Sequence, residues 1–97
     1  MIISFGDRAT EDFYHGRPTK RVRGFPTDIR QPALRKLDML NAARRLDDLA
    51  GLPGNRLKSL RGDLKGYYSI RVNERWRTIF RWVDGNPHAV SLTDYHS

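Results

Sequence analysis

The residues best suited to chemistry gather in two stretches. Near the end of the chain, Asp94-Tyr95-His96 sets a carboxylate, a phenol and an imidazole in succession. Histidine is the side chain best matched to proton transfer near neutral pH. Upstream, a strand-like segment carries Arg71, Arg77 and Arg81, with Lys58 and Arg61 just before it. Together these groups fit cleavage of a phosphodiester by its own neighbouring 2′-hydroxyl. That reaction needs a base at the 2′-hydroxyl, an acid at the 5′-oxygen and positive charge on the developing phosphorane. It needs no metal. Taken singly the features are ordinary, because a histidine at a chain end is commonly frayed and arginine is a common residue on a wet strand face. A cluster of four or more cations with few acids nearby points to a polyanion instead.

The composition is consistent with such a partner. Eighteen basic residues against eleven acidic ones give a net charge of +7, and fourteen of the eighteen are arginine. Arginine's planar fork suits phosphate better than the point charge of lysine, and counterion release favours phosphate-rich partners. Residues 17–23 carry Arg17, Lys20, Arg21 and Arg23 with no acid, and residues 55–82 carry eight cations against Asp63 and Glu74. The two ends of the chain are slightly acidic. At 97 residues and 38% hydrophobic content, one domain spanning 1–97 with one modest core is expected. The absence of cysteine excludes disulfides, iron–sulfur clusters and thiolate zinc sites. His15, His88 and His96 are scattered, so neither a metal site nor a cofactor is expected. Apolar runs are two or three residues long, against the roughly 20 that span a bilayer, and no signal-peptide pattern opens the chain. The expected location is cytoplasmic, with no membrane partner.

The elements that must position these groups follow from periodicity. Ile2-Ile3-Ser4-Phe5, ended by Gly6-Asp7, reads as a first strand. Residues 8–15 read as a short helix capped by Asp7 with Phe13 inward. Gly16, Pro18, Gly24, Pro26 and Pro32 make 16–32 a basic loop containing at most a helical turn. Residues 33–50 read as one long helix ended by Gly51 and Pro53. Its inner stripe is Met39, Ala43, Leu46 and Ala50, with Ala42 and Leu49 beside it and Leu34 and Leu37 turned toward the first helix. Leu57 and Leu60 bracket a short strand. In 67–72, Tyr68, Ile70 and Val72 alternate with Tyr67, Ser69 and Arg71. In 75–83, Trp76, Thr78, Phe80 and Trp82 alternate with Arg75, Arg77, Ile79 and Arg81. Asp84-Gly85-Asn86-Pro87 reads as a turn and 88–95 as the last strand. The sum is an α+β fold of order β-α-α-β-β-β-β, a mostly antiparallel sheet with two helices packed on one face.

Several of these segments resemble a known family. The run from Gly54 to Asp63, then Gly66-Tyr-Tyr-Ser-Ile-Arg-Val-Asn73, Trp76-Arg77 and the closing Asp94-Tyr95-His96 are similar to the HigB toxins of the RelE/ParE superfamily of toxin–antitoxin modules. The resemblance implies a RelE-like fold and a ribosome-dependent mRNA endonuclease that inhibits translation by cutting transcripts in the 30S A site. By position, Arg77 matches the family's phosphate-contacting arginine, Arg61 a basic residue that is often lysine, and Asp94, Tyr95 and His96 the terminal catalytic motif. Lys58 stands where some members carry a catalytic histidine. Lysine at its ordinary pKa serves as a charge and not as a proton carrier, which leaves His96 as the motif's imidazole. Arg71 and Arg81 join the expected RNA-binding set. The implied partners are a HigA-like helix-turn-helix antitoxin, the ribosome with its mRNA, and operator DNA through the toxin–antitoxin complex. Within the superfamily a ParE-like gyrase inhibitor is the rival reading, and a nucleic-acid-binding module without catalysis is a third.

Overall fold

A computed structural model describes residues 1–94. Asp7 opens the first helix, α1 (Arg8–Tyr14): its carboxylate accepts from the Thr10 N–H at 2.7 Å, satisfying one of the free donors of the first turn. The following basic segment contains one helical turn, α2 (Lys20–Arg23). It is held to α1 by Asp12, which is buried and accepts from Thr19 Oγ1 at 3.0 Å and from Arg17 at 3.2 Å. Arg21 approaches the same carboxylate at 3.5 Å. Two of the four cations in 17–23 are therefore engaged within the fold.

The long helix differs from the sequence expectation in start, phase and end. α3 runs Thr27–Ala42 with Pro32 inside its second turn, so the Asp28 carbonyl lacks its in-helix donor. Burial of Ile29, Ala33, Leu37 and Leu40 along one stripe offsets that loss. Leu37 is completely buried at the centre of the core, whereas Leu34 is exposed. Ala50 is exposed as well, and Met39 and Leu46 lie at the edge of the core. The reason is a break: Ala43 turns extended (ψ 135°), and the chain restarts as α4 (Leu46–Ala50). Asp48 fixes the restart by accepting from the backbone N–H groups of Arg44 and Arg45, each at 3.0 Å. Among the described residues there are thus four α-helices where two were expected, and Leu49 of α4 reaches the core.

The sheet follows the alternation closely. β1 (Lys58–Ser59), β2 (Tyr67–Arg71), β3 (Trp76–Val83) and β4 (Asn86–Asp94) lie in the order β1-β2-β3-β4, every pair antiparallel. A 3-10 turn at Gly62–Leu64 joins β1 to β2. The β3–β4 connection is only Asp84-Gly85, both with positive φ (51° and 79°), which matches the twist of the strands it joins. β4 therefore starts at Asn86, two residues earlier than expected, and includes Pro87. The expected first strand is reduced to one parallel bridge, Phe5 to Val90, beside β4. Its bonds alternate between chain ends: Ile3 N–H to the Pro87 carbonyl, Val90 N–H to the Ser4 carbonyl, and Gly6 N–H to the Val90 carbonyl at 2.8 Å.

β4 carries a bulge opposite Phe80, where the pairing shifts between Ile79 and Arg81 and Ala89 takes φ 52°. The extra residue turns the Ala89 N–H toward Ser4 Oγ at 2.9 Å, which ties the N-terminal segment to the strand. The helices pack against the sheet face that presents Tyr68, Ile70, Phe80, Val90 and Leu92. Phe25 extends this core, meeting Phe13 edge-on at 5.5 Å and Trp76 at 5.8 Å. Among the described residues, no helix is long and apolar enough to cross a membrane.

Candidate active site and cationic sheet face

The other face of the sheet carries the basic side chains, and the strand register sets their order. Directly paired residues share a face. One row across the sheet is Tyr67, Arg81 and His88; the next is Lys58, Ser69, Ile79 and Ser91; the third is Arg71, Arg77 and Thr93. Four of the expected cations, Lys58, Arg71, Arg77 and Arg81, therefore share one surface that no helix covers. Arg61 sits outside the ladder, exposed at the start of the 3-10 turn that follows β1.

These cations are not equivalent. Arg71 and Arg77 are half-buried and directly opposed, at a spacing of about 5 Å between Cα atoms in such pairs. Arg81 is exposed and its guanidinium lies over the Tyr67 ring, 5.6 Å from the centroid, a cation–π contact that holds it at the far end of the face. Lys58 is exposed beside Ser69, whose side chain is buried at the middle of the face. A phosphate at Arg71 and Arg77 would meet two planar donors with Thr93 beside them.

Asp94 closes β4. Its register partner is Trp76, so the ladder sets it on the helix-packed side of the sheet while Thr93 shares the face of Arg77. Its half-buried carboxylate accepts through Oδ2 from the exposed Arg75 at 3.2 Å. Sequence reasoning overlooked Arg75 as a partner of Asp94; the signal would have been the register that sets residue 94 beside residue 76. Tyr95 and His96 lie outside the described residues. The hairpin before Arg77 is fixed by Asn73, whose Oδ1 accepts from the N–H groups of Arg75 and Trp76 at 2.8 and 2.7 Å. This local bond sets where β3 begins and hence which residues of 75–83 face outward.

A sheet of four antiparallel strands with helices on one face and a cationic surface on the other is the architecture expected of a RelE-like toxin. Residues 3–96 match the family model described as RelE-like toxin of type II toxin–antitoxin system HigB, and the chain belongs to that family. It is 47% identical over 95 residues to Toxin HigB-1 of Vibrio cholerae serotype O1, covering 98% of this chain and 94% of that protein. A shorter match, 39% over 41 residues, covers 42% of this chain and 45% of the Endoribonuclease HigB of Proteus vulgaris. Among solved structures, the YoeB–YefM complex from Staphylococcus aureus contains a chain that superposes at TM-score 0.61 and 21% identity. That superposition covers all of this chain and 97% of the other, and shows a shared fold.

Proposed function

We propose that this toxin is a metal-independent endoribonuclease that cuts mRNA on the ribosome, acting in the cytoplasm as a single domain spanning 1–97. The observation that carries the reading is the row of Arg71 and Arg77, sharing a sheet face with Lys58 and Arg81, near the strand end from which Asp94 leads into Tyr95-His96. The name of the Proteus vulgaris relative supports the reaction type.

In the reaction, a base removes the proton of the 2′-hydroxyl as that oxygen attacks the adjacent phosphorus. The bond from phosphorus to the 5′-oxygen breaks, and an acid returns a proton to that oxygen. The products are a 2′,3′-cyclic phosphate and a 5′-hydroxyl. His96 carries a proton, Asp94 orients it, and Tyr95 stacks on a base or assists the transfer. Arg77, with Arg61 and Lys58, stabilises the pentavalent phosphate, a contribution of about 2.7–4 kcal/mol per well-placed donor in other enzymes. Arg71 and Arg81 hold the flanking phosphates. A HigA-like antitoxin neutralises the toxin, and their complex binds operator DNA.

The test is primer extension on a translated reporter, with an untranslated control and EDTA present or absent. The wild type should cut only the translated transcript, with or without EDTA. His96→Ala should fold, bind antitoxin and leave the transcript intact. Full cleavage by His96→Ala removes His96 from the mechanism. Intact transcripts together with loss of gyrase supercoiling place the protein with the gyrase inhibitors.

A further inference from the structure

A second basic site lies around the edge of the sheet from the first. β1 pairs with β2 only as far as Ser69, so beyond that point the edge of β2 is covered by the Asn55 carbonyl alone, which accepts the Arg71 N–H. Between this edge and α3 is a groove of about 380 Å³, lined by Pro32, Arg35, Lys36, Met39, Arg71 and Asn73, with Gly54 and Val72 completing it. No carboxylate lines it. Among the described residues, neither Arg35 nor Arg71 has an acidic partner.

The groove is divided by chemistry. Pro32, Met39 and Val72 offer apolar surface, while Arg35 and Arg71 offer guanidinium groups. Lys36 is committed to Asn55, donating to its Oδ1 at 2.5 Å. Burial, and then the neighbouring charge of Arg35, push the Lys36 pKa down. An anion in the groove relieves this crowding of cations. Arg71 belongs both to this groove and to the row with Arg77, so the groove and the cationic sheet face meet at one residue on the sheet edge.

We propose that this groove binds one nucleotide of an RNA chain, its phosphate on Arg35 and Arg71 and its base against Pro32, Met39 and Val72. The proposal rests on the endoribonuclease reading for the identity of the polymer and adds a subsite on α3. A site of this kind combines a sequence-tolerant apolar platform with phosphate contacts.

The experiment is an NMR titration of the purified toxin with adenosine 3′,5′-bisphosphate, inorganic phosphate and hexaglutamate in parallel. The bisphosphate should shift the amides of Arg35, Lys36, Val72 and Asn73 and bind about tenfold more tightly than phosphate, as expected when a base adds its own contact. Arg35→Gln should weaken it several-fold and make its salt dependence shallower. Arg23→Gln, which removes the same charge elsewhere, should leave it unchanged. Phosphate binding as tight as the bisphosphate refutes the base-binding half, and the absence of shifts at these amides refutes the site. Tighter hexaglutamate binding at the same amides assigns the groove to an acidic peptide and overturns the proposal. Bisphosphate binding by a toxin that leaves translated mRNA intact refutes the endoribonuclease reading alone.

Discussion

Arg71 and Arg77 stand directly opposite each other across β2 and β3, two guanidinium groups at one ladder position. Like charges so placed lower sheet stability by roughly 0.2–1 kcal/mol. Their repulsion falls when an anion lies between them. Arg71→Gln should therefore leave the free toxin as stable as the wild type or more so, by up to about 1 kcal/mol, while cleavage of translated mRNA declines. Urea melts paired with primer extension check both halves. A variant that loses stability and keeps activity contradicts this account.

Asp94 and the exposed Arg75 form an ion pair at the sheet's end, and pairs with one partner in solvent contribute about 0.2–1 kcal/mol. Arg75→Gln should cost no more than that. On the role proposed for it, Asp94→Asn should remove most of the cleavage activity. The pH profile of cleavage separates the two roles. A purely structural Asp94 leaves the profile unmoved, whereas an orienting one shifts its acid-side limb.

The core prediction is one of size. Phe80 is fully buried between Tyr68 and Trp82, and Phe80→Ala should cost about 3–5 kcal/mol. Trp76 is only half-buried against Phe25, which places Trp76→Ala near the lower end, about 3 kcal/mol. Chemical denaturation of the two variants should rank them in that order. A loss below about 1 kcal/mol for either means that the strand phase of 75–83 is wrong.

Acid should loosen the α1–α2 junction. The hydrogen bond from Thr19, with help from Arg17 and Arg21, holds the Asp12 carboxyl below its ordinary value of 3.8. Backbone N–H groups of Arg44 and Arg45 do the same for Asp48. A depressed folded-state pKa means stability that is present above the ordinary carboxylate value and lost as pH falls through the folded one. The urea midpoint should fall as pH drops below 3.8, and Asp12→Asn should flatten part of that slope while lowering the plateau above it.

Gly6 tests the tie between chain ends. A Cβ there would stand 2.3 Å from Ser91 Oγ and 3.0 Å from the Ala89 carbonyl oxygen. The hydroxyl can rotate away, but the carbonyl belongs to the bulge and cannot. Gly6→Ala should cost about 1–3 kcal/mol and speed hydrogen exchange at Val90, whose amide donates to Ser4.

The strands were legible because Tyr68, Ile70, Phe80 and Trp82 recur at every second position with mostly polar residues between them, Ile79 being the exception. The helical half was harder. Ala43-Arg44-Arg45 has good helix-forming residues, so nothing local announces the break; it depends on Asp48 reaching back to two N–H groups. Pro32 and Pro87 both read as stops. Pro87 instead joins a strand, because its carbonyl, and with it the missing N–H position, faces the N-terminal segment and not β3. At the site, alternation grouped Arg71, Arg77 and Arg81 on one face. The bond between Arg75 and Asp94, and the groove that Arg35 shares with Arg71, depend on register and helix placement, which no run of residues encodes alone.

The meeting of the two chain ends also governs when this molecule comes into being. Ser4 and Thr10 wait for Ala89 and Leu92, 85 and 82 residues downstream, and Val90 and Leu92 fill the centre of the core. Until β4 is made, β3 has no partner on that side and the core lacks Val90 and Leu92. Folding is deferred to the end of synthesis, and pairings this distant are slow to find. A chain that stops short of β4 therefore lacks Val90 and Leu92 and has no finished core, so even a short truncation at this end removes the fold and not just a strand.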